Sequence, residues 1–375
     1  MAQTHYTPFT VASGQVQNGP LSDFTMVIAV TDDRFRTIAN GGHVANANGY
    51  DIRPYADAGL TTPLTFELVP GTFNATTGTF EMWVLLSSID DDGSSVVYLG
   101  YGDTALTTDG SSTSTWPTKY KGVWHMGGPS SLVLTDSTSN ANNGTSSGVS
   151  AAAGKLGGAA YFPDSVSTER IDVGNAASVN PTAAITLEGW AKFETAVPSG
   201  ADVDALICKN EGGGYGIIAN LSGRARVETW FFINGAYANA GEATSAYSAG
   251  QWYYIVATFD GTDTKYYRDG SLKQTVNRVG SISTTALNLL IGSNPDAGPA
   301  YSGPFGGWLD EWRILNAAIG ADEVVTKYNN QSAPSVFCTT GAEVPVGGGS
   351  GGSSGFSVFT SSRFNSPRFT SRRFN

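Results

Sequence analysis

The chain of 375 residues has few charged residues and no long apolar run. Charged residues make up 14% of it, against roughly 25% in an average soluble domain. This excludes coiled coils and helical bundles, which depend on Glu, Lys and Ala. The formal net charge is −11, which argues against a partner with a phosphate backbone. No stretch approaches the ~18 consecutive apolar residues of a membrane span. We expect neither nucleic acid as a partner nor a membrane span.

Cysteine is also scarce. Cys208 and Cys338 are too few for a disulfide framework or a four-thiolate metal site. They could form one bridge, but two unpaired thiols are the simpler expectation. Residues 1–20 contain neither a basic start nor an apolar block of about 7–15 residues, so no signal peptide is visible. We expect either a protein that acts outside cells without conventional secretion, as virion proteins do, or a processed form.

Glycine is abundant, at 47 residues, and short segments of alternating apolar and polar residues recur between Asn-Gly and Asp-Gly turns. Such segments include 24–30, 64–68 and 80–85. Alternation with period two predicts β-strands, and closely spaced turns predict hairpins. The predicted fold class is therefore all-β, with two β-sandwich (jelly-roll) domains in tandem, then a flexible linker and a C-terminal tail of short repeats.

Composition divides the chain into five parts. A polar, low-complexity run at 107–115 separates an N-terminal β-sandwich (1–106) from a larger jelly roll (116–335). A Gly/Ser-rich linker (336–355) then precedes a tail at 356–375. In the larger domain one helix is predicted at 320–328, and the strongest strand predictions are 184–193, 225–233, 252–259, 265–268 and 287–291.

Four motifs follow one another along the larger domain. They are the loop at 136–145 (DSTSNANNGT) after 123–126 (VWHM), the strand at 154–162 (GKLGGAAYF), the central strands at 186–190 (TLEGW) and 266–270 (YYRDG), and the closing strand at 307–314 (GWLDEWRI). Through these motifs, residues 117–334 resemble the laminin-G-like, concanavalin A-like lectin superfamily. Through 49–53, 64–68 and 82–84, residues 5–105 resemble an uncharacterised bacterial β-sandwich family often found before such modules.

No catalytic constellation is recognisable. Laminarinase-type jelly-roll glycosidases place three carboxylates on one strand face through Glu-x-Asp-x-x-Glu, and this string is absent. Asp310 and Glu311 are adjacent, so we expect their side chains on opposite faces of a strand. The three histidines, His5, His43 and His125, follow no nucleophile motif. We expect no enzymatic activity.

Calcium is the cofactor that the resemblance implies. Loops of this superfamily often hold Ca²⁺ with aspartate, asparagine and backbone oxygens, as a hard cation requires. Matching by motif assigns Asp136, Asn143 and Asp310 as ligands. The alternative is that residues 136–144 form a self-satisfied turn and that Asp310 bonds backbone amides.

Glycan binding would require exposed aromatic side chains beside hydrogen-bonding groups. The candidates are three tyrosines in glycine-rich loops, Tyr215, Tyr237 and Tyr301. The alternative for each is that it covers the edge of the sandwich. Four tryptophans in strand patterns are predicted to be core residues: Trp190, Trp230, Trp252 and Trp312.

The tail repeats a five-residue unit of the form Phe-(Thr/Asn)-Ser-x-Arg. Four arginines and one glutamate give residues 336–375 a net charge of +3, which leaves −14 on the rest of the chain. We expect this basic, aromatic peptide to add as a strand to an open sheet edge of another copy, a disordered, solvated tail being the alternative. The predicted assembly residues are Phe359, Arg363, Phe364, Arg368, Phe369, Arg373 and Phe374.

Together, these patterns predict a non-catalytic, lectin-like structural or adhesive subunit of an extracellular fibre or virion appendage, which forms homo-oligomers or fibres through its tail. Glycans are expected as further partners. The alternative is a free carbohydrate-binding module or an accessory domain of a carbohydrate-active enzyme.

Overall fold

The computed structural model describes residues 2–163, 168–195, 203–219, 225–295 and 301–347. Within them the chain is nearly all β, as the sequence predicts, and antiparallel pairing dominates. The first sandwich contains β1 (His5–Val11), β2 (Leu21–Thr31), β3 (Arg53–Tyr55), β4 (Phe66–Leu68), β5 (Thr79–Ile89) and β6 (Val96–Tyr101).

The second sandwich follows in the order β7 (Tyr120–Trp124), β8 (Met126–Gly128), β9 (Ser131–Val133), β10 (Thr145–Ser147), β11 (Ser150–Ala153), β12 (Gly158–Pro163), β13 (Arg170–Gly174), β14 (Ile185–Phe193), β15 (Asp204–Asn210), β16 (Gly214–Ala219), β17 (Arg226–Thr229), β18 (Phe231–Ile233), β19 (Ala236–Ala238), β20 (Gly241–Ala243), β21 (Trp252–Phe259), β22 (Asp263–Arg268), β23 (Ser271–Asn277), β24 (Leu289–Ile291), β25 (Asn294–Pro295), β26 (Tyr301–Ser302) and β27 (Gly306–Leu315). The last elements of the described residues are α1 (Ala321–Ser332), α2 (Pro334–Phe337), β28 (Cys338–Thr340) and β29 (Val344–Pro345). The strand predicted at 252–259 has those bounds, whereas the one predicted at 225–233 is interrupted at Trp230. The predicted helix extends to Ser332.

Four sheets form successive layers. The first is β28-β1-β6-β3 with β29 beside β1, and the second is β2-β5-β4. The third, of eight strands, is β11-β12-β27-β14-β21-β22-β23 with β7 beside β27, and the fourth is β10-β13-β24-β15-β16-β17-β20. A hydrophobic core fills each sandwich, and a third cluster joins them.

This third cluster, the junction, is formed by alternate residues of facing strands. Val27 of β2 and Trp83 of β5 are absent from the first core and belong to the same buried cluster as Trp190 of β14 and Tyr254 of β21. Val324 of α1 belongs to the same cluster, and Asn330 of α1 exchanges hydrogen bonds with the backbone of Val27 at 2.8 and 3.0 Å. The junction therefore couples the two sandwiches through buried aromatic surface rather than a flexible hinge.

The first part of the predicted linker at 336–355 belongs to the N-terminal sandwich. Cys338–Thr340 pairs with β1 at Phe9–Val11, and Val344 and Pro345 pair with Tyr6 and His5. Phe337 and Cys338 lie in the first core. Pairing follows because β1 would otherwise be an uncovered edge strand. Residues 348–355 and the tail at 356–375, with all the predicted assembly residues, lie outside the described residues.

Both cysteines are buried, in different sandwiches, and neither forms a disulfide, in agreement with the simpler expectation. Across the described ranges, none of the helices is both long and apolar enough to cross a bilayer.

Candidate functional site

The predicted calcium loop is closed by its own donors. Oδ1 of Asp136 accepts hydrogen bonds from the amides of Val123 and Thr138 at 3.0 and 2.9 Å. Its Oδ2 accepts from the Thr138 hydroxyl and the Asn142 amide, and Oδ1 of Asn143 accepts from the amide of Asp136. A cation would have to displace these donors, which is the arrangement of a self-satisfied turn. Calcium binding stays a prediction, checked by comparing melting temperatures with Ca²⁺ and with chelator.

The third predicted ligand, Asp310, belongs to a different cluster. Its Oδ2 accepts hydrogen bonds from the amides of Lys155 and Leu156 at 2.8 and 3.0 Å. Its Oδ1 has no hydrogen-bond partner among the described residues, although the side chain is fully buried. The hydrogen-bond partners of Asp310 and Asp136 have no residue in common, so no described contact brings these two carboxylates together.

The predicted glycan-binding tyrosines do not form one surface. Tyr215 is 1% exposed and donates its hydroxyl to the carbonyl of Val179 at 2.8 Å, so it is a core residue and not a binding platform. Successive side chains of β16 point to opposite faces of the sheet, and the Tyr215 ring lies on the face that packs into the core of the second sandwich. Tyr237 is half-buried and its hydroxyl bonds Asn210 and the amide of Gly212. The side chain of Tyr301 lies outside the described residues, and only its backbone in β26 is described.

A β-bulge in β27 brings Asp310 and Glu311 to the junction together. The pairing of β14 with β27 changes register between Glu188 and Trp190, and Glu311 has a φ of 55°. A bulge inserts one extra residue, so strict alternation is lost at that point. The expectation that these two side chains point to opposite faces is therefore wrong, because it assumed an unbroken strand.

The bulge completes a group of eight buried ionisable residues, which we call the junction cluster. It contains five carboxylates, Glu67, Glu81, Glu188, Asp310 and Glu311, and three cationic residues, His125, Arg313 and Lys327. Glu67 and Glu81 come from the first sandwich. The other six come from the second sandwich and α1.

Direct contacts link most members of the junction cluster. Nδ1 of His125 lies 2.7 Å from Glu311 and Nε2 lies 3.3 Å from Glu67. Arg313 donates to Glu311 and its guanidinium lies 4.4 Å from the ring centroid of Trp83. Lys327 donates to both oxygens of Glu188 at 2.9 and 3.1 Å. These pairs satisfy charges that would be costly to bury alone.

The protonation states follow from this arrangement. Burial and the charge of Glu311 raise the pKa of Glu81 to about 8. Burial and the charge of Glu311 also raise the pKa of Asp310 well above its usual range. Burial would lower the pKa of His125, but the attraction of Glu311 and Glu67 raises it to about 10. The shared direction of these shifts favours the protonated form of both Glu81 and Asp310 and the charged form of His125.

Two cavities open beside this cluster. One of about 210 Å³ is lined by Glu67, Val69, His125 and Asp136, and a groove of about 820 Å³ reaches Glu81. The indole N–H of Trp116 donates to Glu67 at 2.6 Å, and that of Trp83 donates to Glu81 at 2.9 Å. The carboxylates that reach these cavities are thus already engaged, which makes them poor general acids or bases.

A second surface lies further along the same face of the third sheet. We call it the aromatic row. It consists of four half-buried side chains on neighbouring strands, Tyr161 of β12, Trp308 of β27, Lys192 of β14 and Trp252 of β21, paired in register. Trp190 lies two residues from Lys192 in β14, and Tyr254 lies two residues from Trp252 in β21. Both are on the same face of the sheet as the row, and both are buried in the junction. Trp252 still packs against the junction, and the row extends from there across the sheet.

The aromatic row combines apolar rings with charged groups. The ring centroids of Tyr161 and Trp308 are 4.9 Å apart. Nζ of Lys192 lies 3.9 Å from the ring centroid of Trp308 and 5.1 Å from that of Trp252. The Tyr161 hydroxyl donates to the exposed carboxylate of Glu194 at 2.9 Å. Neighbouring strands are ~4.8 Å apart, so the row extends roughly 14 Å across the sheet.

Sequence reasoning missed this row. Trp252, which the strand pattern predicts as a core residue, is half-buried. Trp308 lies in the closing-strand motif, which by itself does not predict a partly exposed side chain. The signal was the alternation itself, because Leu309 and Tyr253 belong to the inner core and their neighbours must face outward.

The family comparison agrees with this fold. Residues 165–325 match the laminin G-type family model described as the concanavalin A-like lectin/glucanases superfamily. The match covers less than half of the chain. It confirms the predicted resemblance for this part of the larger sandwich, which therefore has a lectin-like fold.

Solved structures resemble about half of this chain. The binding domain of Paraclostridial Mosquitocidal Protein 1 is 15% identical over 52% of this chain and 48% of that one, with a TM-score of 0.42. Domain 4 of AbnA, a GH43 extracellular arabinanase from Geobacillus stearothermophilus solved with arabinotriose, is 19% identical over 56% of this chain and 98% of that one (TM-score 0.43). The receptor binding domain of botulinum neurotoxin D is 13% identical over 57% and 53% (TM-score 0.43).

The chain thus spans about half the length of the two toxin domains. No curated protein matches it in sequence.

Proposed function

We propose that this protein is a non-catalytic, glycan-binding adhesion protein whose lectin-like sandwich binds carbohydrate at the aromatic row. The observation that carries the proposal is the alignment of Tyr161, Trp308 and Trp252 around Lys192 on one sheet face. Indole and phenol rings offer an apolar surface with polar tips. The ammonium of Lys192 and the carboxylate of Glu194 supply a donor and an acceptor for sugar hydroxyls.

The test is a glycan array followed by calorimetric titration with the oligosaccharide that binds best. Trp308→Ala and Trp252→Ala should each weaken binding at least tenfold, which corresponds to roughly 1.4 kcal/mol. The matched control is Tyr6→Ala, a half-buried aromatic residue of the N-terminal sandwich. Binding that survives the Trp252→Ala/Trp308→Ala double variant would refute the assignment of the row.

We further propose that the protein is a subunit of an extracellular fibre or virion appendage. The repeated Phe and Arg residues at 356–375 support this, because regularly spaced exposed apolar residues are a liability unless something covers them. Deleting residues 356–375 should leave both sandwiches folded and the protein monomeric. Assembly that persists after the deletion, seen by size exclusion or electron microscopy, would contradict this role.

The absence of catalysis is part of the same proposal. The carboxylates of Glu81 and Glu311, which come within 4.8 Å of one another, are buried and engaged with Trp83, His125 and Arg313. Polysaccharides incubated with the protein should release no sugars. Release that is lost in Glu81→Gln or Glu311→Gln would instead identify an enzyme.

A further inference from the structure

Three segments distant in the chain meet at the outer sheet of the N-terminal sandwich. His5 lies in β1, His43 in the loop before β3, and Glu343 one residue before β29. Nδ1 of His43 is 2.8 Å from Oε1 of Glu343, and the two imidazole centroids are 4.0 Å apart. One ligating atom from each of the three residues lies within 4.8 Å of the other two.

We propose that His5, His43 and Glu343 bind one divalent transition metal ion of the zinc class. Two imidazoles and one carboxylate are a ligand set that suits Zn²⁺, whereas Ca²⁺ and Mg²⁺ prefer oxygen ligands to nitrogen ligands. All three side chains are half-buried, so an ion can enter and water can complete its coordination.

Neighbouring groups already orient the ligands. The Thr4 hydroxyl lies 2.9 Å from Nδ1 of His5, which leaves Nε2 of that ring without a described partner. The fully buried Tyr101 donates its hydroxyl to Oε1 of Glu343 at 2.7 Å. Outer contacts of this kind fix ring orientation and carboxylate position at metal sites.

Metal binding requires one local movement. The imidazole rings are stacked with an interplanar angle of 6°, and their nitrogen lone pairs lie in the ring planes. Two parallel, stacked rings cannot both direct a lone pair at one ion, so one imidazole must turn. His43 has 43% of its side chain exposed, which leaves it the space to do so.

The ion would stabilise the pairing of β28 and β29 with β1. β29 is two residues long and pairs with β1 at His5 and Tyr6. An ion held by His5 and Glu343 would link these two strands directly and add His43 from a third segment. The hydrogen exchange of residues 338–346 should therefore slow when the ion is bound.

The experiment is a calorimetric titration of the full chain, made without a polyhistidine tag, with ZnCl₂ and with CaCl₂. We expect one Zn²⁺ per chain, no saturable binding of Ca²⁺ at this site, and at least tenfold weaker Zn²⁺ binding in His43→Gln, His5→Gln and Glu343→Gln. The matched control is Glu211→Gln, an exposed carboxylate on the other sandwich, which should bind Zn²⁺ as the parent does. Unchanged Zn²⁺ affinity in the His5→Gln/His43→Gln double variant, or no saturable binding in the parent, would overturn the proposal.

A second measurement separates the loss of a ligand from the loss of the strand. Hydrogen exchange of residues 338–346 in EDTA should be the same in His43→Gln as in the parent, and Zn²⁺ should slow it in the parent alone. If Zn²⁺ slows it equally in the variant, the ion binds elsewhere and the assignment fails.

Discussion

The chain contains two clusters of histidine and glutamate that differ in burial, and the difference decides what each can do. In the junction cluster, both nitrogens of His125 face carboxylates and the side chain is 4% exposed. In the outer cluster, His5 and His43 are half-buried and only one nitrogen of each has a described partner. The buried histidine is a fixed cation, whereas the outer pair keeps nitrogens available to a ligand.

Both clusters place potential metal-ligating atoms within 4.8 Å of one another, but they differ in the hydrogen bonds that those atoms already make. Glu81, His125 and Glu311 also place ligating atoms within 4.8 Å of one another. Arg313 and Trp83, however, already donate to Glu311 and Glu81. An ion there would have to displace a buried guanidinium, which leaves an uncompensated charge. The same residue types thus hold two sandwiches together in one place and form an accessible ligand set in another.

The largest expected effect comes from removing a cation from the junction cluster. Arg313→Met keeps an apolar chain under Trp83 but leaves Glu311 and Glu188 without this partner, so the free energy of unfolding should fall by roughly 3–5 kcal/mol. The measurement is urea denaturation at pH 7. The control is Lys265→Met, whose ammonium is 3.8 Å from Asp260 with both side chains partly exposed, and which should cost less than about 1 kcal/mol. Equal losses in the two variants would contradict the contrast between buried and exposed pairs.

The next effect is a dependence of stability on pH. Glu81 has a pKa of about 8 when folded, above its ordinary 4.5, so the folded protein holds a proton that the unfolded chain releases between these values. His125, with a pKa of about 10 against 6.5, acts in the same direction. Their contribution is complete at low pH and is lost as pH rises through each folded pKa. Between pH 6.5 and 8, stability should fall by up to about 2.7 kcal/mol per pH unit from these two groups.

Glu81→Gln tests this dependence, because glutamine keeps the shape of a protonated carboxyl group and does not titrate. The variant should lose about half of the pH slope and become more stable than the parent at pH 8. Unfolding curves at four pH values between 6.5 and 8 give both slopes. Equal pH slopes in the variant and the parent would show that Glu81 exchanges no proton on unfolding in this interval and is ionised in the folded state.

The fold class and most central strands could be predicted from the sequence because that information is local. Period-two alternation located β14 and β21 to within one residue, and the resemblance that the motifs of the second sandwich carry is matched by a family model at residues 165–325. The same rule predicted Trp190 and Trp312 as buried residues correctly. It misassigned Trp230 and Trp252, which are half-buried, because alternation tells which face a residue occupies and not whether another element covers that face.

The sites were less accessible to sequence reasoning because they depend on contacts between distant segments. Glu81 meets Glu311 only because two sandwiches pack together, and no spacing encodes that meeting. The bulge at Glu311 reverses the expected orientation of one side chain. His5 and Glu343 meet because the chain returns to β1, within a segment whose glycine-rich composition predicted a linker.

The smallest expected effect on the free energy of unfolding comes from a substitution in the outer cluster, which tests the comparison with the junction cluster directly. His43→Ala removes one stacked ring and one partly exposed contact with Glu343. Aromatic pairs contribute roughly 0.5–1.5 kcal/mol and exposed ion pairs about 0–1 kcal/mol. In EDTA, the free energy of unfolding should therefore fall by about 1 kcal/mol, a fraction of the loss expected for Arg313→Met. Urea denaturation of both variants in one buffer makes the comparison. If His43→Ala cost as much as Arg313→Met, the outer cluster would be a structural element like the junction, and its half-exposed nitrogens would be committed to the fold rather than available to an ion.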